Sequence, residues 1–285
     1  MKTIHFGIIG CGAIGSEIAK AIDRGIISGE LVAICDLDEE RAKNLVSKLT
    51  LLRRSATQRQ EAKPKIVNLD NLMKMVDFVI ESAHPDAVKE IWNEVLKVTR
   101  KGKKRSVLIM SIGGLLCNPE IILQAREKKI NLYLPSGAVA GIDALKAGGM
   151  GGISSVTLVT SKPPAGLKDA PYLKNSKIDI SKFRKKTLIF EGNTLEAIKG
   201  FPANINVAGV LSLAGIGAKK TKVKIFADPN LKRNVHEIII EGDFGKITTR
   251  AENLPSAVNP KTSQLAILSA IATLKQVSDS VKIGI

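Results

Sequence analysis

Aromatic residues make up only 4% of this 285-residue chain, which carries three histidines, three cysteines and a single tryptophan. Each scarcity closes off a class of function. So few rings leave little platform for stacked bases, which argues against nucleic acid as the main partner despite a formal charge of +16. The lysines and arginines are also scattered. Only Arg100-Lys101-Gly102-Lys103-Lys104-Arg105 forms a tight block, where a helix should hand over to a strand. A diffuse positive field suits small anions such as dicarboxylates. Cys11, Cys35 and Cys117 are odd in number and lack metal-ligand spacing. They read as small buried or loop residues of a reducing, cytoplasmic compartment, with no metal site. No apolar run approaches the length of a membrane span. Met1-Lys2-Thr3 leads straight into a predicted strand, so no signal peptide is expected.

Against these absences stands 44% hydrophobic content, enough for a sizeable core, in a chain long enough for two domains. The chain opens with an apolar run that ends in Gly10-Cys11-Gly12-Ala13-Ile14-Gly15, and an amphipathic segment follows at once. The order is strand, glycine turn, helix. Gly10 permits the turn, Gly12 lets a pyrophosphate approach the backbone, and Gly15 lets the helix sit close to the strand. The free N–H groups of the helix's first turn, from Ala13 and Ile14 onward, face the phosphates. A second apolar run, Leu31 to Cys35, closes on Asp36, where a ribose hydroxyl would be read. A carboxylate there repels a 2′-phosphate, so NAD is preferred, while Arg41 and the basic segment after it leave NADP open. The alternative for Asp36 is a turn or capping residue.

Strands are predicted at 4–9, 31–36, 65–67, 76–81, 107–111 and 131–134. Helices at 13–23, 38–49, 85–98 and 118–128 alternate with them. That rhythm implies an α/β fold with a doubly wound parallel sheet covered on both faces. Residues 50–65 read as a polar, basic insertion. After Pro135 the pattern changes. A helix at 138–147 is followed by strands at 153–160, 187–191, 221–227, 234–242 and 245–251, with helices at 193–199 and 205–216 between them. This is a second domain of α+β character with a mixed or antiparallel sheet and a hairpin at Gly242-Asp243-Phe244-Gly245. Residues 162–186 read as an irregular excursion. The last helix, 262–276, offers Leu265, Leu268, Ile271, Ala272 and Leu274 for burial, against the first domain. The division expected is 1–136 with 255–285 returning to it, and 137–254.

Ligands of open parallel sheets sit beyond the carboxyl ends of the strands. The glycine turn, Asp36, Ser82-Ala83-His84-Pro85, Ser111-Ile112-Gly113-Gly114 and Ser136-Gly137-Ala138 all fall there, each suited to backbone contact with a flat cofactor. Turns favour such residues in any case. His5 reads as structural and His84 as a helix cap or a nicotinamide neighbour. His236 shares a strand face with Ile238 and Ile240. It is either a hydrogen-bonded core histidine or the general base of the second domain, which offers no better one near neutral pH. Asn204 and Asn206 begin one helix, as caps or as cofactor readers. Lys261, Thr262 and Ser263 begin another, as caps or as a seat for a substrate carboxylate.

Three stretches, FPANINVAGVLSLAG, ADPNLKRNVHEIIIEGDFG and NLPSAVNPKTSQLAILSAI, resemble the L-aspartate dehydrogenase family, as do YLPSGAVAGIDAL and Lys162-Pro163-Pro164. The resemblance spans nearly the whole chain. It implies a Rossmann domain over 1–136 and a catalytic and dimerisation domain over 137–254. The activity implied is oxidation of L-aspartate with NAD or NADP to iminoaspartate, which hydrolyses to oxaloacetate and ammonia or feeds quinolinate and NAD synthesis through quinolinate synthase. It places the catalytic histidine on His236 and cofactor contacts on Ala138 and Asn206, in a homodimer or larger assembly. The 50–65 insertion, the long 167–182 segment and the glycines after Ser111 depart from the family pattern. Two rivals stand beside this reading: a dehydrogenase of another small amino or hydroxy acid, and an NAD-binding sensor without catalysis.

Overall fold

Strands covered on both faces have no use for polar alternation, and Phe78–Glu81 shows the consequence: all four residues are buried. The computed structural model describes residues 3–49, 63–100, 102, 105–202, 205–257, 259 and 262–284. They divide into two units, Met1–Pro135 with Ile267–Ile283 and Ser136–Ala266 with Gly284–Ile285.

The first unit begins β1 (His5–Ile9), α1 (Ala13–Asp23), β2 (Glu30–Cys35), α2 (Glu39–Ser47), β3 (Lys65–Ile66) and α3 (Leu69–Met75). It continues β4 (Phe78–Glu81), α4 (Val88–Arg100), β5 (Ser106–Ile109), α5 (Ile112–Cys117), α6 (Glu120–Glu127) and β6 (Asn131–Tyr133). The sheet order is β3-β2-β1-β4-β5-β6, with every pairing parallel. Strand order reverses between β1 and β4, so the crevice that receives a ligand opens beyond their carboxyl ends. Phe6, Ile8, Ile34, Ile80 and Leu108 are buried in one cluster with Ile18 and Ile22 of α1. The 50–65 insertion lies mostly outside the described residues.

Two helices were not expected from periodicity. α3 is only seven residues long and is set by Asn68, whose side chain accepts from Asn71 N at 3.0 Å. α5 occupies Ile112–Cys117, which the sequence presents as a glycine-bearing edge. A Cβ on Gly114 would stand 2.5 Å from the Pro85 carbonyl oxygen, so this glycine lets α5 pack close to the start of α4. The chain's last helix, α11 (Gln264–Ser278), also differs in detail. Ile267, Ala270 and Leu274 form its buried stripe, whereas Leu265 and Leu268 are exposed. An apolar helix supports more than one i, i+3, i+4 stripe, and only packing selects among them.

In the second unit come α7 (Ile142–Gly148), β7 (Ile153–Lys162), α8 (Pro171–Ser176), β8 (Thr187–Asn193), α9 (Thr194–Gly200) and α10 (Ile205–Ala214). β9 (Lys222–Ala227), β10 (Asn234–Gly242) and β11 (Gly245–Asn253) complete it. Its sheet runs β11-β10-β7-β9-β8, with β7 and β9 parallel and the other pairs antiparallel. The expected hairpin joins β10 to β11 through Asp243 and Phe244. α7 starts later than predicted because Gly137 and Gly141 take φ of +72° and +91°, leaving 136–141 as a loop. The segment after β7 is more ordered than an irregular excursion. Leu167, Ala170 and Leu173 are buried at a spacing of three, and Tyr172 packs on Phe190 and Phe201 with ring centroids 5.4 and 5.3 Å away.

Candidate active site

The glycine turn of the first unit has the form that dinucleotide binding needs. Gly10 has φ +93°, and a Cβ there would lie 2.6 Å from the Ser82 carbonyl oxygen. A Cβ on Gly15 would lie 2.0 Å from the Gly10 carbonyl oxygen, which is why the helix can start so close to the strand. Gly12 is different: a Cβ there meets nothing within 4 Å, so its backbone faces open space. Gly12 is also the N-cap of α1, where no side chain caps the helix and the first turn, Ala13-Ile14-Gly15, holds no acidic residue. The first turn of this helix carries no side-chain cap and no acid of its own, and its N–H groups fit a pyrophosphate. Asp36 follows β2. Its Oδ2 accepts from Cys11 N at 2.5 Å and its Oδ1 from Asp38 N at 2.9 Å, which fixes the carboxylate beside the turn. Burial, with Asp36 adding its charge, pushes the Cys11 thiol up to about 12, so it stays protonated and inert. Arg41 pairs with Asp38 at 3.5 Å, both half-exposed.

Each of the other two histidines makes a local contact. His5 Nδ1 lies 3.1 Å from Asp77 Oδ2, and His84 Nδ1 accepts from Asp86 N at 3.4 Å as the cap of a short turn. Periodicity gave no notice of Glu81. This carboxylate is completely buried at the carboxyl end of β4, next to Ser111. The available signal was an acidic residue closing an otherwise apolar strand.

The second unit gathers its polar groups at one end of a buried sheet face. His236 on β10 pairs with Thr160 on β7 and Ala251 on β11. His236 shares its face with Ile238 and Ile240, as expected from alternation, and is 6% exposed. Thr160 Oγ1 lies 3.0 Å from His236 Nδ1. Lys162, two residues along β7, falls on the same face. Burial draws its ammonium down to about 8. Burial, and then the positive charge of Lys162, draw the His236 imidazole down to about 3. The ring is therefore neutral at physiological pH, and with Nδ1 turned to Thr160 it is Nε2 that can exchange a proton. Thr160 and Lys162 were invisible to motif reading as partners of His236, because they lie 76 and 74 positions away.

Asn253, at the end of β11, ties further expected residues into this corner. Its Nδ2 donates to the Ala138 carbonyl oxygen at 3.0 Å, and its Oδ1 accepts from Ser263 Oγ at 2.8 Å. Thr262 adjoins Ser263, with its carbonyl oxygen accepting from Ser256 N at 2.7 Å. Asn206 sits exposed in the first turn of α10. Asn204 and Lys261 lie outside the described residues. Among the described residues, no cluster of His, Cys, Asp and Glu could hold a metal ion, and no helix is long and apolar enough to cross a membrane.

Comparison with known proteins agrees with both halves. Residues 143–277 match the family model described as aspartate dehydrogenase, C-terminal, and residues 10–135 match that of the homoserine dehydrogenase NAD binding domain. The L-aspartate dehydrogenase of Methanosarcina acetivorans is 48% identical over 284 residues, covering 99% of each chain. That of Nitrosopumilus maritimus is 40% identical and covers 100% of both chains. The crystal structure of aspartate dehydrogenase from Thermotoga maritima superposes with a TM-score of 0.69 at 24% identity, covering 99% of this chain and 100% of that one.

Proposed function

Since the chain belongs to the L-aspartate dehydrogenase family, we propose that it oxidises L-aspartate with NAD, or with NADP, at the Cα–N bond. The observation that carries the chemistry is a buried, neutral His236 bonded to Thr160 and facing the positive charge of Lys162. Gly10, Gly12, Ala13, Ile14, Gly15 and Asp36 of the first unit would hold the cofactor, which would supply the hydride acceptor; Ala138 and Asn206 of the second unit are the further cofactor contacts of this proposal.

The residues divide the remaining work. L-Aspartate gives up its Cα hydrogen as hydride and one proton from nitrogen, leaving iminoaspartate. His236 Nε2 takes the proton released from the substrate amine, passes it to solvent, and, neutral again, deprotonates the water that adds to the imine. Thr160 bonds Nδ1 and orients the ring, leaving Nε2 to exchange the proton. Lys162 attracts a dianionic substrate into a site whose burial strengthens the attraction. Lys261, Thr262 and Ser263 hold one carboxylate, and Ser263 does so while its hydroxyl is oriented by Asn253. Hydrolysis of the imine yields oxaloacetate and ammonia.

The test is direct. Mixed with NAD, L-aspartate should generate the NADH absorbance band faster than L-glutamate, L-homoserine or L-malate at equal concentration. A faster rate on one of those three replaces aspartate as the substrate. Tight NAD binding with no turnover on any of them leaves the sensor reading in its place. A cytoplasmic setting, a homodimer and delivery of iminoaspartate to quinolinate synthase extend the same proposal. The free thiols of Cys11, Cys35 and Cys117 support a reducing compartment. Light scattering at micromolar protein would read the mass of the assembly.

A further inference from the structure

Glu81 is 0% exposed and accepts four hydrogen bonds. Its Oε1 accepts from Ala83 N at 2.9 Å and Ser111 Oγ at 2.8 Å, and its Oε2 from Met110 N at 3.1 Å and Ser111 N at 2.9 Å. Three of these donors are main-chain N–H groups, which cannot accept. A protonated Glu81 could give its hydrogen only to Ser111 Oγ, so the cage is built for the anion. Burial pushes the carboxyl up from its ordinary range and outweighs the four donors, each of which favours the anion.

Its place in the sheet gives this charge a use. Glu81 closes β4, one of the two strands at the switch point, and pairs with Ile9 of β1 and Ile109 of β5. The next residue, Ser82, donates its hydroxyl to the Gly10 carbonyl oxygen at 2.8 Å, so the cage abuts the phosphate turn. Asp36 marks the adenosine side of that turn, at the end of β2. The ends of β4 and β5 lie on the opposite side, toward which the rest of a dinucleotide extends. The nicotinamide is a cation in NAD and neutral in NADH, whereas the rest of the molecule keeps its charge.

We infer that Glu81 is a positioning residue whose fixed negative charge, caged under the ends of β4 and β5, favours the oxidised cofactor over the reduced one. The carboxylate touches no ligand. It acts through the loops it anchors and through its field, which a buried site screens little. The consequence for the proposed reaction is faster loss of NADH after hydride transfer, since the attraction vanishes when the ring is reduced. The inference rests on NAD binding to the first unit and is independent of the role given to His236.

Direct binding of NAD and of NADH to the full-length protein, by titration calorimetry, tests it without turnover. In Glu81→Gln, the ratio of the NAD Kd to the NADH Kd should rise about tenfold. Loosened loops alone would weaken both forms together, and an unchanged ratio overturns the inference. Glu81→Asp, which shortens the side chain and keeps the charge, serves also if the glutamine variant does not fold. Its two Kd values should rise together, with their ratio within about twofold of wild type; a tenfold shift of that ratio overturns the inference. Failure of the wild-type protein to bind either form removes the cofactor reading and this one with it.

Discussion

Thr160 Oγ1 and His236 Nδ1 stand 3.0 Å apart on neighbouring antiparallel strands, in direct register, and both are buried. A histidine placed this way has one nitrogen committed and one to spend. The threonine engages Nδ1 and leaves Nε2, on neighbouring strands of one sheet.

Thr160→Val keeps the shape and removes the hydroxyl. Its turnover with L-aspartate should fall about tenfold to a hundredfold, within the range ascribed to a positioned acid or base. Its melting temperature should fall by no more than about 10 °C, since the hydroxyl's loss leaves the buried His236 Nδ1 without its partner, at a cost of about 1–3 kcal/mol. Thr160→Ser should restore most of the rate. Full activity in the valine variant would mean that the ring does not need this contact to be positioned.

His236 also has a signature in stability. Its folded value, about 3, lies below the ordinary 6.5, so the unfolded chain binds more protons between those limits. Stability from this residue is therefore complete above pH 6.5 and is lost as pH falls toward 3, by an amount on the order of 5 kcal/mol. His236→Asn should flatten that part of the curve in urea unfolding at stepped pH, and should abolish turnover while NAD still binds. An equally steep acid limb in the variant assigns the loss to other groups.

Lys162 titrates on the other side of neutrality. Its folded value of about 8 lies below 10.5, so stability rises with pH between these values as the burial penalty on the ammonium fades. Lys162→Met should raise the melting temperature at pH 7 and remove that rise. It should also raise the KM for L-aspartate at least tenfold, because the attraction for the dianion is gone. In the wild type, kcat/KM should lose the contribution of this charge above about pH 8, a limb absent from the methionine variant. A methionine variant with unchanged KM would leave substrate recognition to the start of α11.

Gly12→Ala separates folding from cofactor binding. The added Cβ meets no protein atom within 4 Å and φ is −69°, so the melting temperature should not move. NAD affinity should fall at least tenfold, because the methyl occupies the space a pyrophosphate needs. Unchanged affinity would move the phosphates away from this turn.

Asp36→Ala should weaken NAD binding about tenfold, as expected for lost hydrogen bonds to a charged acceptor, and should narrow the preference for NAD over NADP. Titration with both cofactors reads the two effects. An unaltered NAD Kd would reduce Asp36 to the support it gives Cys11 N and Asp38 N.

By itself, the order of residues determined everything that depends on near neighbours. The strand–glycine turn–helix at Ile9 to Ala13, the acid after β2, the hairpin at Gly242–Gly245 and the burial of the His236 face each follow from spacing within one or two elements. Tertiary structure alone decided which distant groups those neighbours meet. Period two says that His236 faces inward but not that Thr160 stands opposite, because register between β7 and β10 is set by the packing of the whole sheet. Likewise Ala138 and Ser263 come together only through Asn253, and the anion cage at Glu81 exists only once β4 lies beside β5. The buried stripe of α11 differs from the expected one for a related reason: an apolar helix has several faces to offer, and the one it buries is chosen by the core it meets.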